Sequence, residues 1–283
     1  MTEVGEIMST PVFAVSSRDN LARARNLMLS NGVSRLAVVD DGSLRGIVTL
    51  KDLGMRLNQS EPRWRRRPLD QIPVELIMTP DPVTVSPHVQ VQDAARTMLG
   101  RDISSLLVLD ESDGRIGIVT KHDLVRYFAL VGCPLRVGDM MSGPPPTVSG
   151  LNTVNSVLDT MAEHNTDRVL VRDADNEKVC SGIVTMDDLG FVEINPRSYE
   201  DVKEVRKETR AGPKRFRKIV ELPIIAEDVM ASPLVSVRRN VMAGEAAQIM
   251  ERENFDMLPV INGDLLGQFN YENVLKWLAE APE

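Results

Sequence analysis

Asp52, Asp123 and Asp188 each stand three residues after a threonine, and each of those threonines (Thr49, Thr120, Thr185) closes a Gly-Ile-Val run. An ionised carboxylate is acceptor-only and can take hydrogen bonds from two neighbouring hydroxyls, the arrangement a ribose diol offers. A Thr hydroxyl beside the free N–H groups of a helix N-terminus suits a sugar or phosphate oxygen. The same Thr-x-x-Asp spacing is also a capping box, in which side chains satisfy the orphan N–H groups of a helix start. A single copy does not separate the two readings. The pattern that carries the motif does more.

Gly46-Ile47-Val48-Thr49-Leu50-Lys51-Asp52 returns at Gly117–Asp123 and at Gly182–Asp188, and in altered form as Gly267-Gln268-Phe269-Asn270-Tyr271-Glu272-Asn273. Upstream of each copy, an acid followed by apolar residues and Met recurs at Glu6–Met8, Glu75–Met78, Asp139–Met141 and Asp228–Met230. Twenty residues after each of these Met residues stands another: Met28, Met98, Met161 and Met250. The second Met closes an apolar stripe at helical spacing, as in Leu21, Ala24 and Met28 or Val91, Ala94 and Met98, and reads as core. A short apolar strand follows (Leu36–Val39, Leu106–Leu109, Val169–Val171, Leu258–Ile261), then a turn rich in Gly, Asn and Asp, then the Gly-Ile-Val strand and a second helix. The fold expected is α+β, four βαββα repeats of roughly 55–60 residues that are too small to be stable singly and therefore pair. The repeats span about 3–57, 72–130, 135–194 and 222–281. Sequential pairing gives two tandem modules, 1–133 and 134–283, with a charged connector at 195–221.

Composition narrows the function classes. The chain has 283 residues, 42% hydrophobic and 26% charged, an ordinary globular mixture whose net charge of −8 argues against nucleic-acid binding by the whole surface. No apolar run reaches the length of a membrane helix, and two cysteines without C-x-x-C spacing set no disulfide framework, so a cytoplasmic location is expected. The three histidines (His88, His122, His164) lack metal-ligand spacing, and no phosphate loop or activated nucleophile is present, so no catalysis is expected.

The repeats resemble CBS domains, the family named after cystathionine β-synthase, whose members occur as tandem pairs called Bateman modules. The resemblance runs over nearly the whole chain and rests on Gly-Ile-Val-Thr-x-x-Asp in three of the four repeats. It implies a regulatory module that binds AMP, ADP, ATP or S-adenosylmethionine in clefts between paired repeats and has no catalytic cofactor. Carried over, Asp52, Asp123 and Asp188 are the ribose acids, and Thr49, Thr120 and Thr185 the sugar or phosphate hydroxyls. Arg35 and Arg168 match the family's phosphate-holding position. Ser105 and Met257 do not. Main-chain contacts to adenine are implied around Val12, Val83 and Pro145–Thr147 and at Val33, Ile103 and Thr166. In the fourth repeat Asn270 and Asn273 replace Thr and Asp, which removes the charge and predicts an empty or weak site. The second, lacking an Arg, suits a less phosphorylated or sulfonium ligand.

Two basic stretches remain. Residues 195–221 hold nine Lys or Arg against five Asp or Glu, and Arg63–Arg67 sets four arginines around Trp64. Each reads first as a solvated connector helix, and second as a docking surface for an acidic partner or RNA. The expectation is a homo-oligomeric sensor, a dimer, whose ligand alters module packing and so acts on a protein partner, with no membrane involvement. Its rival is a ligand-independent scaffold that contacts RNA or an acidic partner through the basic stretches.

Overall fold

A left-handed residue stops the long helix of each repeat (Gly32, Asp102, Asn165, Asn254), and a polar side chain caps its start in repeats one and three. In repeat one, α1 (Val4–Ile7) and β1 (Ala14–Val15) lead to α2 (Leu21–Asn31). The Asn20 side chain caps α2 by accepting the Arg23 N–H at 2.9 Å, and Gly32 ends it at a φ of 63°. β2 (Arg35–Asp40) and β3 (Ser43–Thr49) form a hairpin around Asp41 and Gly42, both at positive φ, and α3 (Leu50–Leu57) follows. Repeat two runs β4 (Thr79–Pro80), β5 (Thr84–Val85), α4 (Val91–Gly100), β6 (Ser105–Leu109), β7 (Ile116–Thr120) and α5 (Lys121–Val131). Repeat three has α6 (Val137–Met140), β8 (Thr147–Ser149), α7 (Val154–Glu163), β9 (Arg168–Arg172), β10 (Cys180–Thr185) and α8 (Met186–Phe191). The strands β11 (Glu200–Thr209) and β12 (Gly212–Glu221) precede repeat four, which holds α9 (Ala226–Val229), α10 (Ala243–Glu253), β13 (Met257–Asn262), β14 (Asp264–Asn270) and α11 (Tyr271–Glu280). The computed structural model describes residues 2–57, 68–110, 116–174, 176, 179–191, 200–209, 212–221 and 224–281. The Arg63–Arg67 stretch, residues 195–199 and parts of two polar turns lie outside the described residues.

The four methionines at the common offset are core. Met28, Met98, Met161 and Met250 are at most 1% exposed, and the apolar residues sharing their helix faces are buried with them. Within repeats one to three, β1, β5 and β8 pair parallel with β2, β6 and β9, which pair antiparallel with β3, β7 and β10. Repeat four reduces the parallel strand to a single bridge between Val237 and Val260.

The acid-to-Met segment of each repeat leaves its own repeat and lies on another. Val4 donates its N–H to the Val89 carbonyl at 2.8 Å, Ser9 exchanges backbone bonds with Ile118, and the Met8 sulfur sits over Gly117. Reciprocally, the Val74 N–H reaches the Asp19 carbonyl at 2.8 Å, and Thr79 pairs with Ile47 over Gly46. The segment Val137–Ser142 likewise reaches Val241 and Gln268 of repeat four, and Ala226–Ala231 reaches Asn152 and Ile183 of repeat three. These crossings explain the glycine of Gly-Ile-Val. A Cβ on Gly46 would stand 2.7 Å from the Thr79 carbonyl oxygen, and one on Gly182 would stand 2.9 Å from that of Ala231.

By packing, the chain forms two compact units, Met1–Pro144 with Val235–Glu283, and Pro145–Leu234. In the first, the sheets of repeats one and two meet through Ala37, Leu107 and Ile118. The helices of repeats two and four share one core, in which Phe128 and Trp277 make an edge-to-face contact with centroids 5.1 Å apart. The second unit has its own core around Val157, Met161, Val169, Val171 and Val184. Within it, 200–209 and 212–221 pair as antiparallel strands instead of the expected helix, in register from Glu200 with Glu221 to Thr209 with Gly212. Gly212-Pro213 would break a helix at its centre, whereas β-branched Val202, Ile219 and Val220 favour strands.

Candidate functional site

Each Gly-Ile-Val strand delivers its Thr to the first turn of the following helix, and the acid three residues on folds back over it. The Asp52 Oδ2 accepts the Thr49 N–H at 2.8 Å and the Thr49 hydroxyl at 2.7 Å, while the Asp52 N–H donates to the same hydroxyl oxygen at 3.2 Å. Thr120 with Asp123 gives 2.9, 2.7 and 3.3 Å, and Thr185 with Asp188 gives 2.9, 2.7 and 3.2 Å. Capping is therefore real in all three. It uses one carboxylate oxygen and leaves the other. Among the described residues, the Oδ1 atoms of Asp52 and Asp188 meet no donor. In repeat four the amides cap each other, with the Asn273 Oδ1 accepting the Asn270 N–H at 2.9 Å and the Asn270 Oδ1 accepting the Asn273 N–H at 3.1 Å. The turn keeps its shape there and loses the charge.

Sheet register sets what faces each turn. Arg35 is the partner of Thr49, Ser105 of Thr120, Arg168 of Thr185 and Met257 of Asn270. Both arginines thus stand across the hairpin from a Thr-Asp turn. The Arg35 guanidinium reaches from repeat one to the Ser104 carbonyl at 3.0 Å and also meets the Ser34 hydroxyl at 3.2 Å. Arg168 is mostly buried and is aligned by Asp167, whose Oδ1 lies 2.8 and 2.9 Å from two guanidinium nitrogens. The N–H groups of Val33, Ile103 and Thr166 close the preceding helix by donating to Met28, Met98 and Met161, so only their carbonyls remain for a ligand. Val12 and Val83 are not equivalent. The Val83 carbonyl accepts the Leu107 N–H at 3.2 Å, as the Phe13 carbonyl accepts that of Ala37, whereas Val12 packs where the sheets of repeats one and two meet.

Two features escaped the sequence reading. Arg126 donates to the Asp123 Oδ1 at 2.8 Å and to the Ile7 carbonyl at 3.2 Å. Its only advance signal is the Asp-x-x-Arg spacing, absent from the other repeats. His122 lies 3.0 Å through Nδ1 from the Tyr271 hydroxyl, linking the turns of repeats two and four. Among the described residues no three His, Cys, Asp or Glu converge as a metal site, and no helix is long and apolar enough to cross a membrane. Cys133 and Cys180 are unpaired thiols, and burial pushes the pKa of both upward.

The CBS domain family model matches residues 4–56, 74–130, 137–189 and 226–280. The chain belongs to the CBS domain family. Its four matched segments coincide with the four repeats, and each ends on a helix that begins with the Thr-Asp or Asn-Asn turn. An uncharacterized protein of Methanocaldococcus jannaschii is 35% identical over 136 residues, 45% of this chain and 32% of that one. A CBS domain-containing protein of Dictyostelium discoideum is 33% identical over 129 residues, 43% of this chain and 88% of that one. The matched stretch thus spans about a third of the archaeal relative and most of the Dictyostelium one. A crystal structure of another M. jannaschii protein covers 98% of this chain and 100% of its own at 18% identity, with a TM-score of 0.78, a likeness of fold.

Proposed function

We propose that this CBS domain protein is a non-catalytic sensor that holds an adenosyl ligand at its Thr-Asp turns, with the ribose diol on Asp52, Asp123 or Asp188. The carrying observation is that capping in repeats one and three uses only one carboxylate oxygen and leaves a second, while register sets an arginine across the hairpin. A diol needs two acceptor positions, and an unused carboxylate oxygen supplies both. Arg35 and Arg168 take the phosphates of AMP, ADP or ATP. Thr49, Thr120 and Thr185 contribute their remaining lone pair, and the carbonyls near Val33, Ile103 and Thr166 read adenine. Repeat four, with neither acid nor arginine, holds no ligand.

The segment exchanges between repeats one and two, and between three and four, support tandem modules divided near residue 133. We place the protein in the cytoplasm as a homodimer acting on a protein partner. A ligand alters packing only through unequal affinity for two packings. The test is thermal unfolding with AMP, ADP, ATP, S-adenosylmethionine, methylthioadenosine and GTP. Ligand at about a hundred times its dissociation constant stabilises by about 2.7 kcal/mol, a visible rise in melting temperature. A rise with adenosyl compounds and none with GTP is expected. No rise with any of them, joined to salt-sensitive RNA binding, would favour a scaffold acting through its basic stretches.

A further inference from the structure

Asp123 differs from its two counterparts in what occupies its second oxygen. All three acids spend Oδ2 on the Thr N–H and hydroxyl, which fills both lone pairs of that atom. Among the described residues, only Asp123 then receives a guanidinium on Oδ1, from Arg126 one helical turn later at 2.8 Å. The carboxylate is 6% exposed and the guanidinium side chain 42%, so the bond is charge-assisted and shielded on the acid's side. One acceptor position remains where a ribose diol requires two. The same Arg126 nitrogen also donates to the Ile7 carbonyl at the end of α1, which fixes the guanidinium from a second side. The residues at the matching positions are Met55, Phe191 and Lys276, and the first two carry no charge that could imitate it.

We propose that Arg126 is an internal competitor for the ribose acid of repeat two. It keeps that turn closed to adenosyl ligands while the turns at Asp52 and Asp188 stay open, so it sets the order in which the turns fill. Entry of a ribose at Asp123 must turn Arg126 away, and that movement also releases the Ile7 carbonyl. Occupancy of the second turn is thereby tied to the N-terminal segment that covers Gly117. This inference rests on the adenosyl reading of the Thr-Asp turns.

The experiment is calorimetric titration of the full chain with AMP, and in parallel with uncharged methylthioadenosine, on wild type, Arg126→Ala, Arg126→Gln and the double variant Arg126→Ala/Asp123→Ala. Circular dichroism melts identify any variant that fails to fold, and the Gln substitution keeps side-chain bulk if the Ala form does. Removing the competitor is expected to tighten one site by about ten- to a hundredfold, the worth of a hydrogen bond to a charged group, for both ligands. That gain is expected to vanish in the double variant. Weaker AMP binding in Arg126→Ala would show the guanidinium to be a phosphate ligand and overturn the proposal. Unchanged binding of both compounds in a folded variant would overturn it equally. In either case wild-type binding leaves the adenosyl reading standing. Absence of binding by wild type and variants alike would remove that reading and this inference together.

Discussion

Replacing Asp52 by Asn separates capping from ligand binding, because repeat four already contains the product. There the Asn273 Oδ1 accepts the N–H of its cap residue at 2.9 Å, against 2.8 Å for the Asp52 Oδ2. Asp52→Asn therefore retains the helix start, and the change in stability is expected to stay within about 1 kcal/mol. What changes is the second atom, which turns from an anionic acceptor of two hydrogen bonds into an NH₂ donor facing the ribose. Two bonds to a charged group are worth about 1.5–3 kcal/mol each. Asp52 is half-buried, so the lower end applies: about 3 kcal/mol, on the order of a hundredfold in affinity. The assay is AMP titration of wild type and Asp52→Asn alongside urea unfolding of both. Unchanged affinity at that site would refute the ribose assignment. A stability loss above about 2 kcal/mol with unchanged affinity would show that the acid serves only as a cap.

Gly46→Ala places a methyl group 2.7 Å from the Thr79 carbonyl oxygen, backbone that cannot step aside, and is expected to destabilise by about 1–3 kcal/mol. Gly100→Ala, in α4 with nothing within 4 Å, is expected to stabilise by about 0.5–1 kcal/mol, so chemical denaturation of the two should move in opposite directions. The Asp40 carboxyl is held at about 2, against its ordinary 3.8, by the Ser16 hydroxyl 2.7 Å away and then by Ser17. Because the folded value is the lower one, this contribution is complete above about pH 3.8 and is lost as pH falls through about 2. Asp40→Asn should flatten the fall of the urea midpoint across that window, and an unaltered slope would contradict the assignment.

Local physics was legible in the sequence. The four repeats, the apolar stripes ending in buried methionine and the Thr-x-x-Asp capping turns depend on contacts three or four residues apart, or on the period of a strand. The family resemblance sets Arg35 and Arg168 at the entry of the second strand of their repeats, and it is the hairpin register, which follows from turn and alternation, that stands them opposite Thr49 and Thr185. The charged connector is read as a helix from its run of charges, whereas residues 200–209 and 212–221 pair as antiparallel strands, because Gly212-Pro213 opposes a helix.

Other features were decided by contacts that no spacing encodes. That Met8 covers Gly117 while Met78 and Thr79 cover Gly46 depends on which repeat receives each N-terminal segment. A glycine in a strand announces close approach without naming what approaches. The core shared by α4, α5, α10 and α11 joins residues more than a hundred positions apart, and each helix alone shows only an apolar stripe. Arg126 is the sharpest case. Its spacing from Asp123 is local, yet its consequence depends on the Ile7 carbonyl and on the carboxylate oxygen that capping leaves over. The sequence by itself determined which turns carry an acid. Only the tertiary structure decided which of those acids is still open, because a carboxylate's acceptor positions are filled by whatever the fold brings within hydrogen-bonding distance.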